Sequence, residues 1–398
     1  MNAVERIFRQ LNKLPEKLTR ITSGGKLIRE IDGLRFMAII PVLVQHLNER
    51  FLRNTTVTFA EDPANSVINF LAARGFLGVY LFFVISGFIL ALPFATHRLK
   101  GGREVNYRAY YWRRVTRLEP PYIVWMTIFY IIFVFINGTS FAAYLPNYLA
   151  GITYTHSLIF GEWSPFNPPT WTLEIEVQFY LLAPLLALLF FSIRNKVVRR
   201  IANIGILLLM MGLQQYGETF RGLPSLTILG HIHYFIVGFL LADLFICDWH
   251  IRKKRIAYDV LAVGAFACLI VVWSWNFEFL SRILVISCLF LFFYSVFRAK
   301  YVNTFLTNRW ITSIGGMCYT IYLIHLPLAE LFIRITKHFQ ISNSYGLNLL
   351  VQLLLYIPVV LVISAFSYLI FEKPFMNKYW PNELKLFLKR KLKTQQSI

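Results

Sequence analysis

Ten apolar runs follow one another along this 398-residue chain and dominate what it can fold into. They lie at about 33–53, 70–95, 119–137, 171–192, 200–214, 228–247, 257–275, 280–297, 311–334 and 348–371. A chain in hydrocarbon must satisfy every backbone N–H and C=O within itself, so such runs cross as α-helices. The composition agrees, with 57% of residues hydrophobic and 15% charged, against roughly 25% charged in soluble domains. The expected fold is an all-α polytopic membrane protein with about ten transmembrane helices.

Charge placement sets the expected orientation. Of the 40 lysines and arginines, 33 fall in segments 1–35, 98–117, 194–200, 252–255, 298–309 and 373–398. Those six segments share one side of the membrane, and the positive-inside pattern makes that side, with both termini, cytoplasmic. The net charge of +20 then reports orientation and contact with anionic membrane lipid, and no nucleic acid is expected as a partner. Residues 1–30 have no continuous apolar core and no small-residue cleavage site. They read as a basic cytoplasmic segment able to form an in-plane amphipathic helix, not as a signal peptide. Residues 31–375 make one ten-helix domain, leaving no room for an appended soluble domain, and 376–398 form a basic cytoplasmic tail. The outer stretch 138–170, aromatic and proline-rich, suits an ordered lid or re-entrant segment. Cys247, Cys268, Cys288 and Cys318 sit in or beside apolar runs without metal-ligand spacing, so they read as packing residues and no metal is expected.

Ionisable groups inside a membrane are costly and point to function. "GLRFMAIIPVLVQH" ends on His46, about 16 Å beyond Arg35 at ~1.5 Å per helical residue. That is near the middle of a ~30 Å hydrocarbon core. The imidazole reads either as a helix-contact residue or as a general base that is neutral at physiological pH. In "PTWTLEIEVQFYLLAPLL", Glu174 and Glu176 cannot face one pocket, being two residues apart on a helix. Glu174 suits a first turn where the helix dipole favours an acid. Glu176 carries polarity inward with Gln178 and Tyr180. Tyr319, Tyr322 and His325 share one helix side, either for function or to stitch helices together. Arg114 and Arg117, one turn apart before Pro120 and Pro121, read as a phosphate clamp or as an ordinary basic anchor.

Together these stretches resemble the acyltransferase 3 family of membrane-bound acyltransferases, from residue 31 to about 375. "IDGLRFMAIIPVLVQH" is similar to the opening "DGLRG…H", including the spacing of Arg35 and His46. "GFLGVYLFFVISGFILALPF" resembles "GVDLFFVLSGFLI", with Tyr80 in place of the usual Asp. "YYWRRVTR" carries the Arg-x-x-Arg at Arg114 and Arg117, and "PTWTLEIEVQFYLLAPLL" resembles "WSLSVEEQFYLLLPLL", with Val177 where a second Glu is common. "YTIYLIHLPL" and "FEKPF" resemble the late elements "YSLYLLHxP" and "ERPF". The two departures put in doubt any role carried to Tyr80 or Val177.

The resemblance implies transfer of an acyl group, most often acetyl from acetyl-CoA, to a hydroxyl of a sugar or glycan beyond the inner leaflet of a bacterial inner membrane, lipid-linked acceptors included. Acyl-CoA is then a co-substrate and no metal is needed. His46 would deprotonate the acceptor hydroxyl, by direct transfer or through a covalent intermediate. Glu176 would bind the acceptor or orient an imidazole near the outer mouth. Arg35, Arg114 and Arg117 would hold the phosphates of CoA, and His325 and Tyr322 the thioester carbonyl or the acceptor. Ser86 in "VISGF" lies beside the cleft and lacks the G-x-S-x-G elbow of a nucleophile. The chain reads as a standalone form, without the SGNH-type domain fused to many relatives. A secondary transporter or flippase using His46, Glu176 and His325 as a proton relay is the rival, and the absence of an internal repeat weakens it. A non-catalytic scaffold gives no reason for titratable groups at three depths.

Overall fold

The computed structural model describes residues 12–22, 27–249, 254–275, 277–377, 380 and 382. Ten long helices stand at the ten apolar runs. They are α1 (Arg29–Asn54), α2 (Leu77–Lys100), α3 (Tyr107–Asn137), α4 (Trp171–Phe191), α5 (Lys196–Tyr216), α6 (Ile228–Cys247), α7 (Ile256–Val272), α8 (Phe279–Val296), α9 (Cys318–Thr336) and α10 (Tyr345–Ser367). No strand occurs among the described residues. Eight of the ten are long and apolar enough to cross a membrane. Of the other two, α7 is 17 residues long and α1 opens with the charged turn "REIDGLR". The chain is an all-α polytopic membrane protein.

Polar caps fix where these helices begin. The Asn106 side chain accepts from the Ala109 N–H at the start of α3, and Asn195 accepts from Val197 and Val198 at the start of α5. The helices pack as two apolar clusters. Phe88, Phe179, Phe235 and Phe239 lie in the cluster built around α2, α4, α6 and α8. Leu43, Tyr122, Ile321 and Tyr356 lie in the one around α1, α3, α9 and α10. Phe82 of α2 packs against both and marks the seam between them.

Close backbone contact holds α2 to α6. A Cβ on Gly87 would lie 2.3 Å from the Phe235 carbonyl oxygen, and one on Gly238 would lie 2.4 Å from the Phe88 nitrogen. No side chain fits at either position, so the "VISGF" glycine serves helix crossing and sets Ser86 beside the seam. At the end of the pair carrying the basic loops, Asp243 of α6 takes Nη2 of Arg199 at 2.6 Å and Nε of Arg200 at 2.7 Å.

The run at 311–334 is not one helix. It breaks at Met317 into a short helix, Arg309–Gly316, and α9. The cause lies in Gly315, where a Cβ would sit 1.7 Å from the Asp32 carbonyl. The short helix presses directly on the first turn of α1 and cannot continue in line. Residues 12–18 form a further helix, docked on the protein through Leu18, which is 5% exposed, and through the Ser313 hydroxyl donating to the Pro15 carbonyl at 3.0 Å. Residues 1–11 and 23–26 of the expected in-plane segment and nearly all of the expected tail lie outside the described residues.

Candidate active site

A cavity of about 760 Å³ opens among the basic loops and follows the seam inward. Its lining carries the guanidiniums of Arg20, Arg35, Arg103, Arg113, Arg114 and Arg117, against the two acids Glu104 and Glu176. Arg114 stacks on the Tyr110 ring with 3.5 Å to its centroid and donates to the Tyr110 carbonyl at 2.6 Å. Arg117 lies 3.8 Å from a carboxylate oxygen of the buried Glu372. Asp32 sits between two cations, reached by Arg35 Nη1 at 2.8 Å and Arg20 Nε at 2.9 Å. Burial, and then the neighbouring Arg35, lowers the Arg20 guanidinium to about 10. It remains charged at neutral pH and gains from a further anion.

At its inner end the cavity is lined by Ser86, Thr172, Glu176 and Tyr322. The Ser86 hydroxyl donates to Glu176 at 2.6 Å. Glu176 therefore faces the arginine-lined space rather than an outer mouth, and its hydrogen-bond partner is Ser86, not an imidazole. Glu174 does lie in the first turn of α4, as expected, but it is not exposed at an interface. It is 1% exposed, and its carboxylate accepts the Ser157 N–H at 2.9 Å. This pins the short helix His156–Phe160 of the outer stretch, while Asn167 donates to the Leu323 carbonyl at 2.7 Å. The outer stretch is ordered, with helices at Phe141–Ile152 and His156–Phe160, and none of its residues lines this cavity.

His46 and His325 meet. Their Nδ1 and Nε2 atoms are 2.8 Å apart, and the ring centroids 4.9 Å apart. The Nδ1 of His325 is 2.6 Å from the Tyr322 carbonyl. A carbonyl can only accept, so His325 Nδ1 carries hydrogen. Neutral His325 then offers a lone pair at Nε2, which makes His46 Nδ1 the donor and leaves His46 Nε2 bare. His325 is fully buried, while His46 is partly exposed.

Neither histidine lines the cavity. Tyr322, which lines the cavity, meets Phe82 edge to face at 5.9 Å and the His325 ring at 5.4 Å. The Tyr322 hydroxyl is tied to Thr172 at 2.8 Å and to the Pro169 carbonyl at 3.2 Å. The structure thus gathers Arg35, Arg114, Arg117, Ser86, Glu176 and Tyr322 in one cavity and pairs His46 with His325 behind its inner wall. The departures from the family pattern are absorbed into packing. Tyr80 is buried and stacked on Tyr234 at 4.1 Å, and Val177 packs against the second cluster.

Sequence reasoning missed Arg20, Asp32 and Thr172. Asp32 was visible three residues before Arg35, the spacing of an ion pair on one helix face. Arg20 and Thr172 carry no local signal, because the fold alone brings them there. All four cysteines are free thiols, and Cys318 lines the cavity. No group of three His, Cys, Asp or Glu able to hold a metal occurs among the described residues.

Comparison with known proteins adds a family match. A family model described as an acyltransferase domain matches residues 28–369. The O-acetyltransferase OatA of Staphylococcus aureus strain NCTC 8325 is 25% identical over 377 residues, covering 87% of this chain and 57% of its own length. OatA of strain COL shows the same figures. A second protein of strain COL, provisionally named as an O-acetyltransferase, is 22% identical over 379 residues with the same shares. The chain thus spans a little over half the length of these curated relatives. No solved structure matches.

Proposed function

We propose, since the chain belongs to the acyltransferase 3 family, that it moves an acetyl group from acetyl-CoA to a hydroxyl of a sugar or glycan. The donor enters from the basic, cytoplasmic face, and the acceptor, free or lipid-linked, reaches the opposite side of a bacterial inner membrane. Three things support this reading: the family match over residues 28–369, the O-acetyltransferase names of the relatives, and the charge of the cavity. CoA carries a pyrophosphate and a 3′-phosphate, and guanidiniums bind such oxyanions in bidentate fashion.

The observation that carries the mechanism is the directed chain from Tyr322 O through His325 to His46. It presents a bare Nε2 on His46, which is what a general base requires. The acceptor oxygen attacks the thioester carbonyl while its proton passes to His46 Nε2. The carbon–sulfur bond then breaks, and the same proton passes to the departing sulfur, giving ester and free CoA. His325 holds the His46 ring in position and stabilises the imidazolium through Nε2. Glu176, at the inner end of the cavity, accepts the amide N–H groups of the pantetheine arm, and Ser86 fixes its orientation. The Phe82 and Tyr322 side chains part to admit the thioester.

The test supplies labelled acetyl-CoA to inside-out vesicles carrying the wild type or His46→Ala. The variant is expected to insert and to bind CoA as the wild type does, while transfer falls by at least about 10²-fold, the usual worth of a positioned general base. Turnover retained near the wild-type rate overturns the assignment of His46.

A further inference from the structure

Resting on the donor reading above, we propose that Arg20, from the segment preceding the family-matched region, binds the pyrophosphate of the donor together with Arg35, so that the N-terminal segment forms a wall of the donor site. Arg20, Ile21 and Thr22 all line the cavity, although the family match begins only at residue 28. The segment is anchored there rather than lying against it by chance. Besides the Leu18 and Ser313 contacts, Arg309 Nη2 donates to the Asn12 side chain at 3.0 Å, and the Lys373 ammonium donates to the Lys17 carbonyl. The far end of the chain closes the same space, since Phe375 and Met376, beyond the matched region, also line it.

Charge and depth then select the ligand. One carboxylate, Asp32, serves two guanidiniums, so the triad keeps a net positive charge in a confined space. A second anion relieves it. Arg35 lies about 16 Å along α1 from His46 at ~1.5 Å per residue, a separation of the order of an extended pantetheine arm. A donor whose carbonyl reaches His46 therefore sets its pyrophosphate level with Arg35 and Arg20. Arg113, which is exposed on the loop side of α3, is placed for the 3′-phosphate at the outer end of the nucleotide.

The test compares wild type, Arg20→Ala and Arg113→Ala in the purified full-length protein. CoA binding is read by calorimetry, and turnover is read with acetyl-CoA, 3′-dephospho-acetyl-CoA and acetyl-pantetheine. Arg20→Ala is expected to weaken CoA binding by about tenfold or more, the worth of a charge-assisted hydrogen bond. The same factor is expected with the dephospho donor, and no loss in kcat/KM with acetyl-pantetheine, which has no phosphate. The Arg113→Ala penalty should disappear with the dephospho donor. An unchanged CoA affinity in Arg20→Ala overturns the proposal, and so does an equal loss with acetyl-pantetheine, which would mark Arg20 as structural only. Asp32 keeps Arg35 in the variant, so folding should survive. If the alanine form does not fold, Arg20→Gln and Arg20→Lys answer the same question, with lysine retaining part of the affinity and glutamine losing it. Wild-type protein that binds no CoA at all overturns the donor reading itself, an outcome separate from the failure of Arg20 alone.

Discussion

The arginine-lined cavity and the histidine pair share one seam between helix clusters, and their construction is opposite. The cavity is roomy, reached from the loops, and rimmed by cations that share too few acids. The pair is tight, with His325 fully buried and both of its ring nitrogens engaged. A binding site for a charged, hydrated nucleotide gains from cations whose charge is not fully shared with acids, because full neutralisation and desolvation would cancel much of the attraction. A base gains from a fixed tautomer in a dry place, where its orientation is set before the reaction begins. On the proposed function, binding and chemistry fall to these neighbouring compartments, with Phe82 and Tyr322 as the proposed partition. Perturbing one compartment should leave the signature of the other unchanged.

The largest effect that separates the two, short of removing His46, is expected on the chemical side. His325→Leu deletes the acceptor for His46 Nδ1–H, so the ring loses its fixed tautomer and its support as an imidazolium. A fall in kcat of about 10²-fold is expected, with the Michaelis constant for acetyl-CoA near the wild-type value. His325→Gln keeps an acceptor oxygen and should recover part of that loss. Steady-state kinetics in vesicles measure both. A matching rise in the donor's Michaelis constant would mean that the two compartments are one.

On the binding side, Arg114→Ala with Arg117→Ala removes two cations from the cavity and touches neither histidine. The expected result is a rise of about tenfold or more in the Michaelis constant for acetyl-CoA, with kcat and the acceptor's Michaelis constant little changed. If donor and acceptor constants shift together, the cavity is not a donor site.

How much of this could be read from the sequence follows from which forces are local. The ten helices were legible because a backbone in lipid must bond to itself, and the run at 228–247 matches α6 residue for residue. The ninth was misjudged because the Gly-Gly at 315–316 reads as continuous apolar helix, and only its contact with α1 demands a break. His46 and His325 each stood out by cost. Their pairing did not, since 279 positions separate them and nothing in either stretch names the other. Glu174 was read from helix-dipole chemistry, whereas the Ser157 N–H that claims it belongs to a different element. Arg20 looked like one more basic residue in a lipid-facing segment, and its pairing with Asp32 in the cavity depends on a docking that no local pattern encodes.

The smallest expected effect falls on the partition itself. Phe82 touches both apolar clusters and meets Tyr322 edge to face, so Phe82→Ala opens the wall without removing a polar group from either side. CoA affinity should hold, because no cation is disturbed, and acceptor transfer should fall only slightly, because the His46–His325 pair is intact. Water, however, gains access to a thioester that a closed site protects. The ratio of acetyl-CoA hydrolysis to transfer, counted as free thiol released against label in the acceptor, should rise roughly two- to fivefold. Thr172→Val, which frees the Tyr322 hydroxyl from one of its two ties, should move the ratio in the same direction by less. An unchanged ratio in both variants would show that these rings fill space without dividing it.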